Sequence, residues 1–249
     1  MRNIWTIAKK EFSQYFVSPI AYSVAFLLLG IVGILFAINF LNLSESAARG
    51  PGGSVPDSRN VAFAAGFLLM LFTPALTMRL IADEVRMGTM ELLLTAPLRD
   101  YELVVGKWLG AFLFIMVLVA TTLIFPVILN AMTKNGIDQT LLISNYLGVI
   151  LLAAALLSLG VGISAIFSNQ IAAFFITFAL FIVMWWLLGA PANLMQQGGE
   201  IFKYMNMSGQ FSENFIRGSV SPSSIVYFLS LTGLGLFVGT TAVEIRRWR

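Results

Sequence analysis

Six apolar stretches, each close to twenty residues long, leave this 249-residue chain few folds to adopt. They run at about 19–41, 61–82, 108–132, 144–167, 171–189 and 223–243. About twenty apolar residues in a helix cross the roughly 30 Å hydrocarbon layer of a bilayer. The chain is therefore expected to be an all-α membrane protein with six transmembrane helices in a single domain spanning residues 1–249. Composition agrees: 58% of residues are apolar and 11% charged, against about 45–50% and about 25% in a soluble domain. The fourth and fifth stretches are parted only by Ser168-Asn169-Gln170, which reads as a tight turn. An even number of spans puts both termini on one side. Ten of the fifteen Lys and Arg flank that side, and the positive-inside bias makes it the cytoplasmic one. The localisation expected is a bacterial inner membrane.

What is missing narrows the chemistry. There is no Cys and no His, which removes disulfides, thiolate metal sites, cysteine nucleophiles and the usual histidine base. The spans contain no Asp, Glu, Lys or Arg between about 20–41, 61–78, 108–132, 144–167, 171–199 and 218–243. Intramembrane ionisable groups mark ion pathways and proton relays, so neither an ion-coupled carrier nor a membrane enzyme is expected. No phosphate-binding Gly-x-x-x-x-Gly-Lys-Ser/Thr run is present. The site expectations are accordingly blank for catalysis, cofactor and metal, and the basic residues at helix ends do not suggest nucleic acid. Eighteen mixed residues precede the first span, so the N-terminus does not read as a cleaved signal.

Three segments outside the spans carry information. Residues 1–18 place Ile4, Trp5, Ala8, Phe12, Tyr15 and Phe16 on one helical arc and Lys9 and Lys10 on the opposite one. Glu11 sits at the edge of the apolar arc and weakens the pattern. Such a helix lies in the headgroup plane, with Trp5, Lys9, Lys10 and Phe12 as its anchors; a plain cytoplasmic lead-in is the simpler alternative. Residues 190–222 are too polar to span and too apolar for a free loop, and are expected to form short external helices or a re-entrant segment.

The third is the most charged part of the chain, a coupling segment at 83–104. A helix of about 82–95, ended by Pro97, would carry Val85, Thr89 and Leu92 on one side and Met87, Met90 and Leu94 on the other. One stripe can rest on the spans; the other needs its own cover, unless the loop simply folds back on its own subunit. Elsewhere, small residues recur at helical spacing (Ser158 with Gly162, Gly160 with Ser164, Gly235 with Gly239), fitting close helix approach within the chain or between copies. Pro74 and Pro126 are expected to kink their spans.

The run from Arg79 to Lys107 resembles the segment after the second span of ABC type-2 exporter permeases. The resemblance lies in its charged start, Gly88-Thr89, Leu92-Leu93-Leu94, Pro97 and Gly106-Lys107. Ser18-Pro19-Ile20, Ser168-Asn169-Gln170, Phe215-Ile216-Arg217-Gly218 and the closing Glu244-Ile245-Arg246-Arg247-Trp248 extend it over nearly the whole chain. The set is most similar to gliding-motility-associated permeases and more distantly to the membrane subunit of the nitrous-oxide reductase maturation exporter. The resemblance implies a permease subunit that is not itself an enzyme. Its partners would be a second permease copy or relative, a cytoplasmic ATPase holding the ATP and Mg, membrane lipid and an accessory extracytoplasmic protein. It also implies that 83–104 is a coupling helix whose Glu84, Met87, Gly88, Met90, Glu91 and Leu94 touch that ATPase. A membrane anchor for a motility or envelope complex is the alternative function.

Overall fold

The computed structural model describes residues 2–48, 58–90, 98–133, 136–190 and 199–247. All regular structure among them is helical. After the amphipathic α1 (Arg2–Tyr15) come α2 (Pro19–Ala48), α3 (Arg59–Thr77), the short α4 (Ala82–Arg86), α5 (Asp100–Thr122), α6 (Ile124–Met132) and α7 (Gln139–Ile166). Next is α8 (Gln170–Ile182), which runs on as a π-helical turn Val183–Leu187. The chain then forms α9 (Gly199–Met205), α10 (Met207–Gly209) with a second π turn Gln210–Phe215, and α11 (Pro222–Arg247). Six runs are long and apolar enough to cross a membrane, α5 and α6 together making the third.

Burial ranks these spans. The fourth, α7, is 78% buried within the chain, the first only 17%. Val149, Leu152, Ala155, Leu156, Leu157 and Val161 of α7 are fully enclosed, because α3, α5, α8 and α11 close around it. By contrast α2 buries one stripe, Ala21, Val24, Leu28 and Val32, and leaves Tyr22, Phe26, Ile34 and Ile38 exposed. In a bilayer such a face meets acyl chains or another subunit at no hydrophobic cost.

The small residues settle where the close approach lies. A Cβ on Gly162 would stand 2.7 Å from the carbonyl oxygen of Gly235, and one on Gly235 would strike the Ser158 backbone. Gly160 similarly admits Thr77 of α3. These pairs serve α7–α11 and α7–α3 packing inside one chain.

Two helix breaks have identifiable causes. Pro126 has no N–H to give the carbonyl four residues back, that of Thr122. There the third span breaks, and Leu123 N–H bonds the Ala120 carbonyl instead at 3.2 Å. Pro74 lies inside α3, which continues only to Thr77. The second span, expected to stay helical to residue 82, loses its regular helix four residues beyond Pro74, with a turn at 78–81 before α4, although the Pro74 carbonyl itself still accepts from Met78 N–H at 3.0 Å. Between the fifth and sixth spans, α9, α10 and the second π turn are short helices, with Phe211 and Phe215 fully buried. Close passage of Phe211 past Gly66 and of Phe215 past Gly148 seats this segment on α3 and α7. Leu194 and Met195 lie outside the described residues.

Candidate functional site

The connections 78–90 and 98–107, the 167–169 turn, α1 and the end of α11 gather at one end of the bundle. Lys107 is their hub. It stands two turns into α5, its side chain only 3% exposed, and its Nζ contacts Glu11 of α1 at 2.9 Å and Glu84 of α4 at 2.7 Å. An unpaired charge at that depth would be costly, so the lysine fixes both acids. Glu11 was expected to weaken the amphipathic pattern of α1; instead it is the charged centre of the buried face formed with Ala8 and Tyr15. Gly106 and Gly110 make room for it. A Cβ on either would press within 2.8 Å and 2.6 Å of the Cβ atoms of Ile7 and Glu11. Tyr15 donates to the Leu76 carbonyl at 3.4 Å. Burial, and secondarily the Glu11 charge, push its phenol well above the ordinary value, so it remains a donor.

Other ties converge on α4. The Ser164 hydroxyl accepts from the N–H groups of Ile81 and Ala82, at 3.2 and 3.1 Å, and donates to the Met78 carbonyl at 3.3 Å. It thereby satisfies the backbone where α3 has unwound. Gln170 donates to Asp83, and Asp83 also pairs with Arg86 at 3.0 Å. At the far end of the chain, Arg246 caps the last carbonyls of α7, those of Ala165 and Ile166, at 3.2 and 2.8 Å. Arg247 reaches Asp100 at 3.1 Å.

The expected helix at 82–95 is not continuous. It ends at Arg86, and Gly88 adopts a φ of 71°, a left-handed conformation that no right-handed helix can contain and that glycine adopts without cost. The two expected stripes are therefore rearranged. Met87 is 59% exposed, whereas Met90 is buried with the core, against which the half-buried Val85 also packs. Met90 thus belongs to the side covered by its own chain, and Thr89 is exposed instead. Glu84 is turned inward to Lys107. Among the described residues nothing stands within 4 Å of where a Gly88 side chain would project, so Met87, Gly88 and Thr89 form an open knuckle at the mouth of the cavity beside α1. Glu91, Leu92, Leu94 and Pro97 lie outside the described residues.

On α1, Lys9 and Lys10 are exposed and Phe12 is half-buried against the core. Trp5 is 59% and Phe16 43% exposed, so the buried face is narrower than the apolar arc. The Phe16 ring still meets Phe114 of α5 edge-on at 5.8 Å, so Trp5 is the more exposed of the two rings. A cavity of about 510 Å³ opens beside α1, lined among others by Gln14, Ser18, Ile20, Ala75, Arg79 and Glu84.

Sequence reasoning singled out the segment, but as one helix with two stripes, and it missed the clamp beneath it. The signals were present: an acid breaking an apolar arc, and a lysine immediately before an apolar span. Each demanded a partner, and they are partners of one another.

A projecting knuckle is tied by short polar contacts to α1, α5, α7 and α8. Comparison with known families gives a match over residues 5–243 to the model described as ABC-2 family transporter protein. A search of curated proteins found no significant match.

Proposed function

The chain belongs to the ABC-2 family of transporter proteins, and from that premise we propose that it is the permease subunit of an exporter driven by a separate ATP-hydrolysing subunit. One observation carries the reading. In the most charged connection of the chain, Met87 projects from an open turn while its neighbours Asp83 and Glu84 are held to the spans. A large, exposed apolar side chain on a mount fixed by polar contacts is the pattern of an anchor for a partner's pocket. The ATPase would grip the knuckle, and its closure would displace α4. The Lys107 clamp would pass that motion to α1 and α5, and Ser164 and Gln170 would pass it to the central spans.

The orientation follows from the charge bias, with this end in the cytoplasm and both termini there. In that placement Trp5 and Phe16 of α1 meet the headgroup layer, flanked by Lys9 and Lys10. Two copies or related chains would complete the membrane core, and ATP and Mg would reside on the partner. Within the family, the motif resemblance favours the gliding-motility-associated group as the one to test.

Met87→Asp puts a charge where an apolar pocket is expected, and should lower the ATPase recovered with the affinity-purified chain about tenfold or more. Undiminished recovery refutes the knuckle as the docking point. Glu91 and Leu94 remain candidates for the same contact; Met90, enclosed by its own chain, is withdrawn.

A further inference from the structure

Away from the clamp, α1 carries a face that the described residues do not cover. Arg2, Trp5 and Lys9 follow at i, i+3 and i+7, the spacing that lines residues up along one side of a helix. All three are exposed, as are Phe16 and Val17 in the turn that follows. The side of α1 turned away from α5 thus sets an aromatic ring between two cations. The Tyr22 hydroxyl donates to the Phe16 carbonyl at 2.7 Å. That bond joins the end of α1 to the exposed side of α2, where Tyr22 and Phe26 stand clear of the bundle.

The acids beside α1 are engaged elsewhere. Glu11, the only acid in α1, lies with Glu84 against Lys107. Glu102 of α5 accepts from the Asn3 amide at 3.1 Å and from the Arg99 N–H at 3.2 Å. Lys10 stands off the stripe and lines the cleft that Glu84 also lines. The stripe is therefore positive, with no carboxylate of α1 on it to offset Arg2 and Lys9. Nor can it roll away. Gly106 and Gly110 admit Ile7 and Glu11 so closely that α1 is seated on α5 in one orientation. A face held in place in advance loses little freedom on binding.

We propose that this face is a docking surface for anionic phospholipid of the adjoining leaflet, which it selects over zwitterionic lipid. Headgroup phosphates sit on Arg2 and Lys9, Trp5 and Phe16 enter at the glyceride level, and the acyl chains continue along α2 at Tyr22 and Phe26. Basic side chains alternating with aromatic ones match the two layers of such a leaflet, charge outside and hydrocarbon beneath. A zwitterionic headgroup carries its own cation to the same surface and cancels the attraction; an anionic one does not. Each basic side chain near an anionic surface is worth about fivefold in binding, so two on one stripe give about 25-fold. The effect is confined to about a Debye length and weakens with salt. The proposal rests on the placement of α1 in the headgroup layer and not on an ATPase docking at Met87.

The test is lipid retention by the purified full-length chain, with no ATPase present, read by native mass spectrometry. Phosphatidylglycerol and phosphatidylcholine with matched acyl chains compete at equal concentration. Phosphatidylglycerol should be retained about 25-fold better, and the preference should shrink as salt rises. Arg2→Gln and Lys9→Gln should each reduce it about fivefold. Lys10→Gln makes the same change of charge off the stripe and should leave it nearly intact. All three side chains are exposed, so an unchanged thermal midpoint confirms that each variant is folded. Equal retention of the two lipids by the unaltered chain overturns the proposal. So does a Lys10→Gln effect as large as that of Lys9→Gln, which would make net charge, and not the stripe, the cause. A photo-crosslinking residue at Trp5 in living cells should yield lipid adducts; adducts to a protein there would assign the face to an acidic partner and overturn the lipid assignment.

Discussion

A lysine at the threshold of a membrane helix ordinarily extends its stem toward water; Lys107 is instead enclosed between two acids. The arrangement is asymmetric, which makes it testable. Lys107→Met strands both Glu11 and Glu84, and should destabilise the chain by about 3–5 kcal/mol. Glu11→Gln keeps one lysine for one carboxylate and should cost far less. The measurement is the unfolding midpoint of each purified variant in the same detergent, and equal effects would show that the two acids do not share the cation. Sequence reasoning could see that Lys107 stood beside an apolar run. It could not see that α1, ninety-six positions away, brings the second acid, because that pairing depends on Gly106 and Gly110 letting α1 lie directly on α5.

At the scale of elements, the spans were legible because long apolar runs leave a membrane helix little freedom. Their ends were not. The third span begins at Asp100 instead of residue 108, since the helix continues past the bilayer to seat Lys107. The expected coupling helix is interrupted at 87–89 because Gly88 takes a backbone angle that no hydrophobic periodicity reveals. Pro126 gave the opposite outcome, a visible residue marking the break actually found. Glycine positions also separate packing from propensity. Gly235→Ala drives a Cβ into the Ser158–Leu159 backbone and should cost about 1–3 kcal/mol. On α2, Gly30→Ala meets nothing within 4 Å among the described residues and should be neutral or stabilising by up to about 1 kcal/mol. Thermal midpoints of the two variants should therefore move apart; a shared shift would contradict the close α7–α11 contact.

Among the described residues, the ion pairs and the Asn and Gln networks gather at the two ends of the molecule, while the spans between them keep only hydroxyl and indole contacts such as Ser158 to the Leu231 carbonyl and Trp108 to the Ala154 carbonyl. One end holds the Lys107 clamp, the Ser164 and Gln170 ties and the Arg246 cap. The other holds the Ser58–Asn145 pair at 2.9 Å and the Gln210–Ser224–Asn214 network. If the first end is cytoplasmic, as the charge bias requires, a membrane-impermeant thiol reagent on intact cells should label Glu200→Cys and spare Lys9→Cys. The chain's lack of Cys makes each label unique, and the reverse pattern would invert the topology. The central claim, that the knuckle at the clamped end meets a nucleotide-hydrolysing subunit, is reached most directly by a photo-crosslinking residue placed at Met87 in living cells. The expected product is a covalent adduct between this chain and an ATP-binding cassette protein. Adducts confined to the chain itself, with the crosslinker demonstrably incorporated and the protein folded in the membrane, would contradict it.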